Sequence, residues 1–337
     1  MPSKILIIKP SSLGDVVHTL PAVAAIRDAN SDAEITWVIN PEWAPLLRGN
    51  RDIDHVHLFP RGEFRGFGAP ARLLPWIRET RQLRPDVALD FQGLFRSALI
   101  ARISGAKAIL GMSDAREGSR LFYTQVARVD RREHAVDRYF KLAESFGAAL
   151  RDLRFAIPTG DEPPRFDAFP GFVVLHPYAR GRNKSIGANV ILEFCRALAP
   201  ARVVVVGKSG RRFPAPENCV DLTNQTTLLQ LVWLLRAAAF VISVDSGPMH
   251  VAAAVTTNLV SIHTWTDPRR VGPYNDAATI WKNGKLFRVA DLKSATDLRK
   301  GRKFLREDVG PIADLALRAL AKQPLALTSS QLDLPSG

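Results

Sequence analysis

The chain opens with an unbroken apolar run, Ile5 to Ile8, and then a polar, small-residue break from Lys9 to Asp15. A run with no polar alternation predicts a strand buried on both faces, as in a parallel sheet. From Val16 to Ala29 the apolar positions recur on one face and predict a helix. Glu34–Ile39 and Asp54–Phe59 read as further strands, Leu73–Leu83 as a helix and Asp86–Phe91 as a strand. A helix from His134 to Phe146 closes this half. Strands separated by helices argue for a parallel sheet covered on both sides.

Residues 157–171, IPTGDEPPRFDAFPG, carry several Pro and Gly and no helical period, which reads as a linker. The alternation then restarts. Strands are predicted at Phe172–His176, Arg202–Val206, Phe240–Val244 and Leu259–His263. Helices are predicted at Ala188–Leu198, Thr227–Ala238, Met249–Val255 and Asp308–Lys322. The expected architecture is α/β, with two Rossmann-like domains at 1–156 and 172–322 and a flexible tail at 323–337. The cleft between the domains is the default ligand site.

Composition narrows the class. Of 337 residues 46% are hydrophobic and 23% charged, which excludes a largely disordered chain. Cys195 and Cys219 cannot staple a chain of this length and read as small buried hydrophobes. Leu228–Val244, the longest apolar stretch, is broken by Gln230, Arg236 and Ser243, short of a membrane span. No export signal pattern is present at the start, so a cytoplasmic location is expected. The formal net charge of +13 points to an anionic partner: nucleic acid, a phosphorylated substrate or a membrane surface.

Several signatures fail. Val206-Gly-Lys-Ser209 resembles the end of a P-loop, but Arg202 stands where that motif needs Gly. No G-x-G-x-x-G follows a strand, no G-x-S-x-G or H-E-x-x-H is present, and the seven His form no metal set. Basic residues are not interleaved with aromatics, which argues against nucleic acid.

Two strand-to-helix junctions stand out instead. In Lys9-Pro-Ser-Ser-Leu-Gly-Asp15 the small residues let a ligand approach the backbone, and the helix amides can hold an anion. Asp15 at that helix start is either a helix cap or a reactive carboxylate. In Ser243-Val-Asp-Ser-Gly-Pro-Met-His250, Ser246 and Gly247 at a helix start suit a diphosphate, and Pro248 suits the first turn. His250 could reach that phosphate or face the core. Lys184, in Arg180-Gly-Arg-Asn-Lys184, is a third phosphate candidate or a solvated loop cation.

Together these pieces resemble the family-9 glycosyltransferases, the bacterial lipopolysaccharide heptosyltransferases, and most of all those adding the first inner-core heptose. The resemblance is carried by Ile7-Ile-Lys-Pro-Ser-Ser-Leu-Gly-Asp-Val-Val-His-Thr-Leu-Pro21, Asp90-Phe-Gln-Gly-Leu-Phe-Arg-Ser97 and Ala115-Arg-Glu-Gly-Ser-Arg-Leu-Phe-Tyr123. It continues through His134-Ala-Val-Asp-Arg138, Val244-Asp-Ser-Gly-Pro-Met-His-Val-Ala-Ala-Ala254, Thr266-Asp-Pro268 and Gly272-Pro-Tyr274.

The resemblance implies a GT-B fold with the acceptor on the first domain and the nucleotide-sugar on the second. It implies inverting transfer of a heptose from ADP-heptose to a Kdo-lipid A type acceptor, with no required cofactor or metal. By position, Asp15 matches the catalytic base. Lys184, Asp245, Ser246, Gly247 and His250 match donor positions. Ser11, Ser12, Gly14, Arg96 and Arg116 fall on the acceptor side. An inverting transfer needs one base and stabilisation of a departing diphosphate, and these residue types can provide both.

Four features depart from the family pattern, all in the donor half: Lys184-Ser-Ile-Gly187, Lys208, Pro248 and His263-Thr-Trp-Thr266. A different nucleotide-sugar or acceptor is therefore the alternative, and a nucleotide- or nucleic-acid-binding protein the non-enzymatic one. The expected partners are an ADP-sugar and an anionic lipid-linked oligosaccharide, with a monomeric chain peripheral at the inner face of the inner membrane and no nucleic acid. Residues 1–150 hold 21 Lys+Arg and 17 Asp+Glu, so most of the positive excess lies in the donor half. Lys282 to Arg306 alone holds nine basic residues, read either as a solvated loop or as a contact with anionic lipid.

Overall fold

The computed structural model describes residues 2–64, 66, 68–149, 152–164, 171–181, 183–210, 212–295, 298 and 301–322. The expected tail at 323–337 and part of the linker, 165–170, lie outside the described residues.

The first sheet contains β1 (Lys4–Ile8), β2 (Glu34–Ile39), β3 (His55–Leu58), β4 (Val87–Asp90), β5 (Ala108–Met112) and β6 (Gln125–Ala127). Their order across the sheet is β3-β2-β1-β4-β5-β6, and every pair is parallel. Ile5 to Ile8 are at most 1% exposed, as an all-apolar run requires. Around this sheet run α1 (Leu13–Ala29), α2 (Ala69–Leu83), α3 (Phe95–Ile103) and α4 (Ala135–Ser145).

The second sheet contains β7 (Val173–His176), β8 (Val203–Val205), β9 (Cys219–Asp221), β10 (Phe240–Val244), β11 (Leu259–Ile262), β12 (Thr279–Lys282) and β13 (Lys285–Arg288). Its order is β13-β12-β11-β10-β7-β8-β9, with β13 antiparallel. Its helices are α5 (Ala188–Leu198), α6 (Leu228–Ala237), α7 (Gly247–Val255), α8 (Pro268–Val271) and α9 (Val309–Ala321). The two sheets share one winding. Each reverses direction once, between β1 and β4 and between β7 and β10, and ligands of such sheets bind beside these reversals.

Three differences from the sequence reading have local causes. Helix α1 begins at Leu13, ahead of its apolar period, because Ser12 and Asp15 close a capping box there. Hairpin β12–β13 stands where the pattern suggests a loop; it turns on Asn283-Gly284, both at positive φ (54° and 83°), and the Asn-Gly pair is its legible signal. Strands β6 and β9 are three residues each and too short to stand out, whereas β5, Ala-Ile-Leu-Gly-Met, is an apolar run as legible as β1. The described part of the 157–171 segment is strapped down. The Asp161 amide donates to Leu229 O at 3.1 Å, Arg48 pairs with Asp161, and Arg236 donates to the Ile157 and Pro158 carbonyls.

One apolar cluster runs from β1 and β2 through α1 and α4 into α6 and α7, so the domains share a packed seam behind the cleft. At the tightest point Gly14 of α1 lies against the His250 ring of α7, where an added Cβ would sit 2.4 Å from Cδ2. Gly247 faces Leu13 the same way, at 2.9 Å. These glycines permit the approach of two helix N-termini.

Part of the basic run from 282 is built into the fold. Lys282 is buried, 1% exposed, and donates to the carbonyls of Thr264 and Thr266, each at 3.0 Å. Arg302 pairs with Asp308, and Arg306 with Glu193. Three of the nine cations are therefore committed to the fold, and Arg299 and Lys300 lie outside the described residues. Cys195 is buried in the core around α5 and Cys219 is half-buried; both are free thiols.

Candidate active site

In a parallel sheet the loops that follow the strands gather at one edge, so the β1–α1, β4–α3 and β5–β6 loops share an edge. The first carries Ser11 to Asp15, the second Gln92 to Leu94, the third Arg116. Ser11 donates its amide to Gln92 Oε1 at 3.3 Å, and the Arg116 amide donates to Gly93 O at 2.8 Å. Buried Asp90 fixes the middle loop by accepting from the Gln92 and Gly93 amides, Ser97 and Tyr123. Arg96 sits in the first turn of α3 on this same edge.

Asp15 is the third residue of α1, not its cap; the cap position belongs to Ser12. Asp15 Oδ2 accepts from the Ser12 amide at 3.1 Å and the Ser12 hydroxyl at 2.8 Å. Oδ1 accepts from the Tyr139 hydroxyl at 3.3 Å. That hydroxyl accepts in turn from Lys9 Nζ at 2.7 Å, and Lys9 also donates to Phe91 O at 2.8 Å. Burial pushes the Asp15 carboxyl up, but Lys9, the Ser12 hydrogen bonds and His250 outweigh it and hold the group below the ordinary carboxylate range. Asp15 is thus ionised at neutral pH. Sequence reasoning missed Lys9 and Tyr139. The signal for Lys9 was an isolated cation directly after a fully apolar strand; Tyr139 carried none.

The second sheet gathers the β7–α5, β10–α7 and β11–α8 loops at its own edge. Lys184 Nζ and Thr266 Oγ1 both reach Asp245 Oδ2 at 2.7 Å. Asp245 is 7% exposed; burial raises its pKa, while His263, Lys184 and Thr266 lower it further than burial raises it. Buried Lys282 holds the Thr264–Thr266 loop that supplies one of those partners. Ser246, the N-cap of α7, turns its hydroxyl to Val244 O and lies 3.2 Å from His176 Nδ1, so its side chain does not cap the first turn. The amide end of α7 therefore keeps its attraction for an anion.

His250 faces the seam. Its Nδ1 lies 2.9 Å from His18 Nε2, and the ring packs edge-on against His18 at 4.2 Å. His250 is 8% exposed, with its ring also against Gly14 of α1. His134 lies 5.0 Å from His18 and 4.9 Å from Tyr274, between centroids, with Nε2 3.0 Å from Gly272 O. The Tyr274 hydroxyl donates to Asp137 Oδ1 at 2.7 Å. The motifs His134–Arg138 and Gly272–Tyr274 thus meet across the seam, a pairing that sequence order does not reveal. Burial lowers the pKa of all three histidines.

The arrangement sets an ionised carboxylate in the first turn of α1, and that turn packs on the first turn of α7 through Leu13 on Gly247 and Gly14 on His250. Asp245, paired with Lys184, stands on the loop that leads into α7. Two facing Rossmann-like sheets with this site define a glycosyltransferase of the GT-B type. Residues 76–300 match the model of glycosyltransferase family 9 (heptosyltransferase), and the chain belongs to that family. It is 39% identical to the lipooligosaccharide heptosyltransferase 2 of Haemophilus influenzae, covering 85% of this chain and 90% of that one. With the lipopolysaccharide core heptosyltransferase OpsX of the same organism the identity is 26%, over 82% and 83%. The solved E. coli heptosyltransferase WaaC with ADP-2-deoxy-2-fluoro heptose shares the fold, with a TM-score of 0.68 and 24% identity over 83% and 93% of the chains. Among the described residues no helix is long and apolar enough to cross a membrane.

Proposed function

We propose that the chain transfers a heptose, with inversion, from ADP-heptose to an inner-core sugar of the Kdo-lipid A type. The observation that carries this reading is the packing of the first turn of α1, which holds Asp15, on the first turn of α7 through Leu13 and Gly14. In this reading Asp15 Oδ1 takes the proton of the acceptor hydroxyl as its oxygen attacks the anomeric carbon from the face opposite the leaving group. The bond from that carbon to the diphosphate breaks, and the departing ADP carries the charge. Lys184 and the amides at Ser246–Gly247 stabilise that charge in the ground state and more strongly as it develops. Asp245 orients Lys184 and offers its second oxygen to sugar hydroxyls. Arg96 and Arg116 attract the acidic acceptor from the other side of the cleft.

The names of the relatives support both donor and pathway for this chain. The reading needs no cofactor; an acceptor anchored in lipid calls for action at a membrane surface, which this reading takes to be the inner face of the inner membrane. Mass-spectrometric assay with ADP-heptose and a Kdo-lipid acceptor tests it. One heptose of added mass is expected, with GDP- and UDP-sugars unreactive. A folded, ADP-binding enzyme that leaves the acceptor unchanged overturns the reading, and transfer from another nucleotide-sugar replaces the donor.

A further inference from the structure

Four apolar side chains form an exposed ridge on the first domain, beside the acceptor edge of the site. Leu121 is 90% exposed, Phe95 47% and Leu99 37%, with Phe122 half-buried among them. The rings of Phe95 and Phe122 pack edge-on at 5.6 Å, tying α3 to the 119–122 turn. Leu99 lies one helical turn beyond Phe95 and extends the same face.

This ridge is held rigidly. The turn is closed by Leu121 N donating to Gly118 O at 3.1 Å, by Ser119 Oγ donating to Arg116 O at 2.7 Å, and by the Arg116 amide on Gly93 O. Gly118 sits at φ 75°, a conformation that suits glycine and aims the turn outward. An ordered turn that keeps a leucine almost wholly in water has no packing reason among the described residues, and such patches mark contact surfaces. Segments 95–103 and 116–122, which carry the ridge, hold Arg96, Arg102, Arg116 and Arg120 against one acidic residue, Glu117. An apolar crest rimmed with arginine matches the layering of an anionic bilayer, in which acyl chains lie beneath a negative headgroup plane.

We propose that the Phe95–Leu99–Leu121–Phe122 ridge docks the enzyme on an anionic lipid bilayer. The ridge shares its edge of the first sheet with Asp15, linked through Gln92–Gly93, so docking holds the acceptor edge at headgroup height. The proposal rests on the reading that the acceptor is lipid-linked. It places a membrane contact on the acceptor domain, apart from the 282–306 run, three of whose nine cations are committed to internal bonds.

Sedimentation of the full chain with vesicles of phosphatidylethanolamine and phosphatidylglycerol tests it, with phosphatidylcholine vesicles as reference. Leu121→Asp should lower partition about tenfold on the anionic vesicles. Arg120→Glu should lower it about fivefold there and little on phosphatidylcholine. Both variants should keep the wild-type melting temperature and wild-type transfer to a deacylated, water-soluble acceptor. Absence of wild-type binding, or unchanged binding of Leu121→Asp, overturns the proposal. So does a wild-type dimer that Leu121→Asp dissociates while vesicle binding persists. Loss of transfer to every acceptor by the wild type would instead defeat the reading of function and leave the vesicle result to stand alone.

Discussion

His18 Nε2 and His250 Nδ1 lie 2.9 Å apart, and this contact joins the helix that carries Asp15 to the helix that follows Asp245. His18 Nδ1 is buried without a hydrogen-bond partner among the described residues, so protonation of the pair would place poorly compensated charge in the seam.

Acid should therefore loosen the protein. His176, His250 and His263 are buried and held down to about 4 from an ordinary 6.5. The unfolded chain binds protons at these groups from about 6.5 downward, whereas the folded one does so only near 4. Stability is full above 6.5 and falls through that window, by about 1.4 kcal/mol per pH unit for each histidine at most. Urea midpoints should drop steadily between about pH 6.5 and about pH 4.5; a flat profile would show these groups titrating normally.

Gly14→Ala should open the seam. Its methyl would meet the His250 ring at 2.4 Å, and the ring is held by His18. Overpacking of this kind costs about 1–3 kcal/mol. A fall of several degrees in melting temperature and a loss of transfer are expected, while Gly62→Ala, with nothing within 4 Å, leaves both unchanged.

Asp15→Asn should lower transfer by about 10²- to 10⁴-fold, the range for loss of a general base. The amide oxygen can still accept from Ser12, so folding and ADP affinity by calorimetry should persist. Equal loss of ADP binding in a folded variant would assign Asp15 to the donor site instead.

Lys9→Met removes the buried cation that favours ionised Asp15. The Asp15 pKa should rise, so the acid limb of the kcat profile should move to higher pH. Phe91 O and the Tyr139 hydroxyl lose their donor, at a stability cost of about 1–3 kcal/mol. A limb that stays in place, in a folded variant, would limit Lys9 to a structural role.

Lys184→Met should raise the donor KM about tenfold, the worth of one charge-assisted contact, and lower kcat as well if leaving-group charge is its target. The acceptor KM should hold. A change in the acceptor KM alone would move Lys184 out of the donor site.

The sequence by itself determined the alternation of elements, because buried parallel strands such as Ile5–Ile8 and Val203–Val205 must be apolar on both faces. It also located the two junctions, since small residues and an early carboxylate or proline are local requirements of a helix start. The Asn283-Gly284 turn was equally legible. Only the tertiary structure decided what the charged and aromatic side chains meet. Lys9 and Tyr139 are 130 positions apart and join on Asp15; His18, His134 and His250 converge from three helices; Lys282 leaves a basic run to enter the core. Contacts of that kind depend on how two sheets face each other, and no period or spacing within either half encodes that. A cation in a polar run and one in a buried network look alike until the fold brings their partners to them.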